Sequence, residues 1–311
     1  MSSSRKNKTV IIIVGPTAVG KTSIAIRIAK LFNTEIISAD SRQCYRELKI
    51  GVARPSDNEL NEIHHHFIAT YSIEEKISTA SFEQYALQTV QDLFRKHDVI
   101  VMTGGTGLYI KAFTEGLDEI PEVPEDVREE IAKQYHKNGI TWLQNQIQKK
   151  DPQFYRQGEM KNPQRMMRAL EVVEATGKSI FDFRNQDKPA RNFNVIKIGL
   201  KLPKEELHRN ISSRVDDMIK SGLVEEVKSL LPFKNFNALQ TVGYSEIIDY
   251  LEAKKKLDEA IEEIKKNTRQ YAKRQMTWFR KDKNIHWFEP GQLQEIKSFI
   301  SSQLLPADAR L

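Results

Sequence analysis

The chain has 311 residues, of which 29% are charged and 39% hydrophobic, enough for one large domain or two modest ones with an ample core. Lys and Arg total 48 against 42 Asp and Glu, and the formal charge of +6 suits a polyanionic partner. A single cysteine, Cys44, excludes an intrachain disulfide and a cysteine-built zinc site, and the longest purely aliphatic run, five residues from Val10 to Val14, excludes a membrane span.

In chain order, the polar, basic start Met1 to Thr9 has no apolar stretch of signal-peptide length, so a reducing, cytoplasmic location is expected. A β-branched run, Val10 to Val14, then leads into Gly15-Pro16-Thr17-Ala18-Val19-Gly20-Lys21-Thr22. This fits the phosphate-cradling pattern G-x-x-x-x-G-K-[ST] at every fixed position, with a helical pattern (Ile24, Ile28, Leu31) following it. Backbone N–H groups turn inward around an anion there, and the helix N-terminus adds partial positive charge. Lys21 supplies a point charge, and the Thr22 hydroxyl is the expected ligand of Mg²⁺. By itself the loop implies only a di- or triphosphate.

Two further apolar segments, residues 35–39 and 98–103, end in polar or glycine-rich loops: Asp40-Ser41-Arg42-Gln43 and Gly104-Gly105-Thr106-Gly107. Strands alternating with helices predict a parallel α/β sheet, and ligands of such sheets sit beyond the carboxyl ends of the strands, so these three loops should converge on one crevice. Between them lies His64-His65-His66. Consecutive side chains point in different directions on a helix or a strand, and no cysteine or second histidine cluster completes a site, so the histidines are read as structural.

From Pro121 the composition turns polar and helical, and Pro121-Glu122-Val123-Pro124-Glu125 marks a boundary. Residues 164–176 form a clear helix with Gly177 as its stop. A β-type run at 195–200 returns to the sheet, helices resume at 203–231 and 257–281, and Ile285–Phe288 adds a short strand. The expected fold is therefore a P-loop NTPase-like α/β sheet flanked by helices, its core at residues 1–120 and 193–311, interrupted by a helical insertion at 121–192.

Six blocks in order carry a family resemblance: the Gly15 loop, Asp40 to Arg46, Gly104 to Tyr109, Asn162-Pro163-Gln164-Arg165, Thr241-Val242-Gly243-Tyr244, and Thr268 to Arg280. The set resembles the bacterial tRNA dimethylallyltransferases. The resemblance implies transfer of a dimethylallyl group from its diphosphate to N6 of the adenosine immediately 3′ of the anticodon, position 37, in tRNAs reading codons that begin with U. It implies the anticodon stem-loop and dimethylallyl diphosphate as partners, Mg²⁺ as cofactor, no membrane, and a monomer.

An exocyclic adenine amine is a poor nucleophile, and a carboxylate that takes its proton helps directly. Asp40 resembles the family's general base; a Mg²⁺ ligand or a helix cap are its alternatives. Lys21, the Gly15 to Gly20 amides and Mg²⁺ would hold the leaving diphosphate. Arg214 resembles a second cation on it, or else a surface partner of Asp216 or Asp217. Thr106 would bridge leaving oxygen and amine, unless it serves only a glycine-rich turn.

For RNA, Arg165 and Arg168 share a helix face, and Lys266, Arg269, Lys273 and Arg280 form a basic stripe with Arg274 and Lys281 beside it and Tyr271, Trp278 and Phe279 interleaved. The resemblance adds Asp40, Ser41, Arg42, Gln43, Thr106, Arg128, Gln164, Gln240, Gly243 and Tyr244 as tRNA contacts, with the adenine flipped into the crevice. Cys44 is expected to pack, not react. The chain departs from the family at Arg42, beside the proposed base, and at Val52 and Arg54, where Thr and Lys are common. A nucleotide or small-molecule phosphotransferase is the competing class, weakened because the strand ending at Thr103 carries no acidic Walker-B residue.

Overall fold

A computed structural model of the chain describes residues 8–184 and 189–305. Most of the polar start (1–7) and a short piece of the expected insertion (185–188) lie outside the described residues. The chain divides into two compact units, residues 1–114 with 190–311, and residues 115–189.

The first unit is built on six parallel strands: β1 (Thr9–Val14), β2 (Ile36–Ser38), β3 (His65–His66), β4 (Val99–Gly104), β5 (Asn194–Leu200) and β6 (Ile285–Phe288). Their spatial order is β3-β2-β4-β1-β5-β6, so β1 lies inside the sheet, with Val14 opposite Gly104 and Gly199. Val10 to Val14 are all wholly buried, as an unbroken β-branched run in a parallel sheet must be. Their side chains alternate between two cores. Val10, Ile12 and Val14 pack with Met102, Phe113 and Tyr244, while Ile11 and Ile13 pack with Ile28, Ile198 and Ile296. The edge strand β3 was not foreseen: two residues are too few to show a period, and its pairing to β2 exists only in the folded sheet.

Helices α1 (Lys21–Leu31), α2 (Asp57–Glu62) and α3 (Thr79–Leu93) join the first four strands, and α4 (Gly107–Glu115) follows β4. The second unit holds α5 (Glu125–Lys150), α6 (Pro152–Gln157) and α7 (Pro163–Thr176). Its separate core comprises Ile131, Leu143, Ile147, Phe154, Met166, Ala169 and Leu170. Asn162 caps α7 by accepting from the Arg165 N–H at 3.3 Å, and Gly177 ends it at φ 70°. Back in the first unit follow α8 (Lys204–Lys220), α9 (Leu223–Ser229), α10 (Tyr244–Leu251), α11 (Leu257–Phe279) and α12 (Leu293–Leu304). The break between α8 and α9 falls at Gly222, φ 95°, a left-handed residue that redirects the chain.

Candidate active site

Strand β1 delivers the chain to the phosphate loop, and Gly20, at φ 95°, turns it into α1 so that the first amides of the helix face the loop. Lys21 Nζ donates to the carbonyls of Gly15 at 3.0 Å and Pro16 at 2.7 Å. Burial, then the nearby Arg214 charge, pull its ammonium down to about pKa 7 against the opposing pull of Asp40. Arg214, from α8, reaches the loop and donates to Thr17 Oγ1 at 3.3 Å. The Thr22 hydroxyl makes no hydrogen bond among the described residues and faces the same space.

The second and third loops are locked together. Gly104 abuts the Ala39 carbonyl so closely that an added Cβ would strike it, which brings the ends of β2 and β4 into contact. Thr106 N–H donates to Ala39 O at 3.2 Å. Its hydroxyl accepts from the Ser41 N–H at 3.1 Å and donates to Ser41 Oγ at 3.3 Å. Asp40 Oδ1 accepts from the N–H groups of Arg42 at 2.9 Å and Gln43 at 3.2 Å, which fixes the carboxylate; Oδ2 has no hydrogen bond among the described residues. Cys44 is wholly buried behind this loop, and burial pushes its thiol up to about 12, so it stays protonated and unreactive.

A buried glutamine ties the third loop to the first. Gln275, on α11 and 7% exposed, accepts from the Thr17 N–H through Oε1 at 2.8 Å and donates to Gly105 O through Nε2 at 3.0 Å. A Cβ at Gly105 would strike Gln275 Nε2, so a larger residue there would displace this amide. Sequence reasoning gave Gln275 no role. The available signal is its spacing: it stands between Ala272 and Phe279 on the buried face of α11, where a polar side chain needs partners.

All three loops open on one cavity of about 480 Å³, a size suited to a small organic ligand. Its lining includes Thr17, Lys21, Thr22, Asp40, Arg42 and Arg214, together with Tyr271 and the apolar Val215, Met218, Val242 and Ile264. The segment 49–51 is held on this cavity by Glu226. That carboxylate accepts from the N–H groups of Lys49, Ile50 and Gly51 at 3.2, 2.8 and 3.1 Å and from the Tyr244 hydroxyl at 2.5 Å.

Among the expected RNA contacts, Tyr244 is 0% exposed with its hydroxyl engaged, so in this structure it holds a loop. Gln43 is similarly committed: Nε2 donates to the Val52 and Ala53 carbonyls, and Oε1 accepts from Ser38. Gly243, also buried, gives its N–H to Glu246 at 2.8 Å. Gln240 is exposed, and Arg42 reaches Asn237 Oδ1 at 3.3 Å. On α11, Lys273, Arg274 and Arg280 are exposed, and the Arg274 guanidinium lies 5.7 Å from the Tyr271 ring centre. Arg269 is half-buried and donates to Ser212 Oγ at 2.9 Å, so the basic stripe narrows there. In the second unit Gln164 and Arg165 are exposed at the start of α7, Arg168 pairs with Glu171 at 3.2 Å, and Arg128 is half-buried near the start of α5. No helix among the described residues is long and apolar enough to cross a membrane.

Comparison with known proteins places this arrangement. The family model described as IPP transferase matches residues 43–282. The tRNA dimethylallyltransferase of Christiangramia forsetii is 50% identical over 94% of this chain and 97% of its own length, and that of Cytophaga hutchinsonii 43% identical over 96% and 98%. Among solved structures, the full-length tRNA isopentenylpyrophosphate transferase of Bacillus halodurans superposes with a TM-score of 0.70 at 34% identity, covering 96% of this chain and 97% of that one. A eukaryotic dimethylallyltransferase described as acting on tRNA gives a TM-score of 0.76 at 26% identity, covering 94% of this chain and 80% of that one.

Proposed function

The chain belongs to the IPP transferase family, and on that footing we propose that it transfers a dimethylallyl group from dimethylallyl diphosphate to N6 of the adenosine immediately 3′ of the anticodon in tRNAs reading codons that begin with U. The observation that carries the chemistry is the meeting of one carboxylate and two cations in a single cavity: Asp40 faces the space into which Lys21 and Arg214 project from the phosphate loop side. A diphosphate would lie against Lys21, Arg214 and the loop amides, which places the prenyl chain toward the apolar side of the cavity. As the N6–carbon bond forms and the allylic carbon–oxygen bond breaks, diphosphate departs with the bonding electrons. The N6 proton passes to Asp40 Oδ2, the oxygen left free by the turn that holds Oδ1. The charge developing on the leaving oxygen is met by cations already in place, which is electrostatic preorganisation.

The residues present fit a hard divalent ion: the Thr22 hydroxyl is unengaged and shares the cavity with the Asp40 carboxylate. Mg²⁺, held through Thr22, would neutralise charge on the diphosphate. Thr106 is assigned as a positioning residue, because its hydroxyl is spent on Ser41 beside the base. Lys273, Arg274 and Arg280 on α11, and Arg128, Gln164, Arg165 and Arg168 in the helical unit, are assigned to the tRNA backbone. Ser41, Arg42 and Gln240 border the target base in this reading. A monomer is part of this reading, and the lone buried cysteine supports the cytoplasm.

The test is incubation with Mg²⁺, radiolabelled dimethylallyl diphosphate and unmodified tRNA bearing adenosine 3′ of its anticodon. Label should enter the RNA and disappear when that base is guanosine. ATP consumption by a small acceptor, with no label in RNA, would replace this reading with a phosphotransferase.

A further inference from the structure

At the edge of the sheet, one face of the strand pair β2–β3 gathers three metal-binding side chains. Ile36 pairs with His65 and Ile37 with His66, so alternation places His64 and His66 on one face and sends His65 to the other. Glu35, one residue before β2, reaches the same face, and its Oε2 lies 2.7 Å from His66 Nε2. The His64 and His66 rings meet edge-on with centres 4.5 Å apart. The ligand atoms of Glu35, His64 and His66 all lie within 4.8 Å of one another, a separation that small side-chain rotations close to a coordination sphere. Along the chain the three histidines are consecutive and lack partners; the folded sheet selects the pair two apart and brings Glu35 beside it.

We propose that Glu35, His64 and His66 bind a divalent transition-metal ion, and that the donor set selects Zn²⁺. Two imidazoles and one carboxylate, with remaining positions open to water, form a recurrent zinc sphere, and imidazole disfavours Mg²⁺ and Ca²⁺. For ligation the neutral His66 ring takes the tautomer with its single proton on Nδ1, so that Nε2, 2.7 Å from Glu35 Oε2, presents its lone pair to the ion. The His64 side chain is exposed and makes no hydrogen bond among the described residues, so its ring nitrogens can turn inward. The bound ion would bridge β2 to β3, pinning the edge of the sheet a few residues before Asp40. This site is separate from the hydroxyl-and-diphosphate environment proposed for Mg²⁺ and does not depend on that function.

The experiment uses the full chain without a histidine tag, stripped of metal with EDTA and titrated with Co²⁺ as a spectroscopic probe, then with Zn²⁺ against a colorimetric chelator. One equivalent of Co²⁺ should give visible d–d absorption that Zn²⁺ abolishes, and Zn²⁺ should raise Tm. His64→Ala, whose side chain is exposed and whose fold circular dichroism would check, should weaken Zn²⁺ binding at least about tenfold, as should His66→Gln and Glu35→Gln. Thr22→Ala should bind Zn²⁺ as the wild type does. Absence of d–d absorption and of Zn²⁺ retention overturns the proposal, and so does equal binding by His64→Ala and wild type, or loss of binding in Thr22→Ala.

Discussion

At Asp40 the backbone sets which carboxylate oxygen can serve as the base in the proposed reaction. Two N–H groups hold Oδ1, so one oxygen is fixed and the other is left to face the cavity. Asparagine retains the oxygen that accepts those bonds and removes only the basic one. Asp40→Asn should therefore lower kcat by about 10²–10⁴ while the Kd for tRNA, measured by filter binding, stays within about twofold. A variant that turns over at the wild-type rate would remove Asp40 from the role of base. Lys21 makes a different prediction, with its sign set by linkage. Its folded pKa, about 7, lies below the ordinary lysine value, so between those two values the unfolded chain holds more protons. In that window the ligand-free fold gains stability as pH rises. A bound diphosphate demands the charged ammonium. Above about pH 7 binding must therefore take up a proton, and affinity for inorganic diphosphate should weaken by up to about tenfold per pH unit. Calorimetry in buffers of differing ionisation enthalpy reads that proton directly, and Lys21→Met should bind weakly without this uptake.

Helix α11 joins two roles along one cylinder. Its buried face carries Gln275, which bonds the first loop at Thr17 and the third at Gly105, and its exposed face carries Lys273, Arg274 and Arg280. The loops thus share one rigid support, and the same support presents cations to solvent. Gln275→Leu leaves a buried N–H and a buried carbonyl without partners, which should cost about 2 kcal/mol or more in urea unfolding. Turnover should fall more than tenfold by misplacing Lys21 against Asp40, with tRNA affinity preserved because the exposed face is untouched. Unchanged kcat with only lowered stability would reduce Gln275 to a structural residue. Strand β2 shows the same economy, since its three residues connect Glu35 on one side to Asp40 on the other.

Over the whole molecule, a formal charge of +6 favours a long polyanion over a small one. The KM for tRNA should rise steeply between about 50 and 200 mM salt, whereas that for dimethylallyl diphosphate, bound in a concave pocket by close contacts, should rise much less. Lys273→Ala should reduce the slope of log K against log salt for tRNA by about 0.7–0.9 and leave the donor's KM unchanged.

The amino-acid sequence by itself determined the parallel α/β class, five of the six strands, and the loops on which the chemistry rests. Each of these is written in local patterns: an unbroken β-branched run ending in glycine, a lysine and hydroxyl at set spacing, an aspartate directly after a strand. Only the tertiary structure decided what those residues hold. Gln275 bridges two loops 258 and 170 residues away, Glu226 anchors residues 49–51 from 175 to 177 residues away, and Tyr244 supports it across 18, all invisible to any local window. The grouping of Glu35 with His64 and His66 has the same origin, because the register of β2 on β3 is set by how the sheet closes and not by either segment alone.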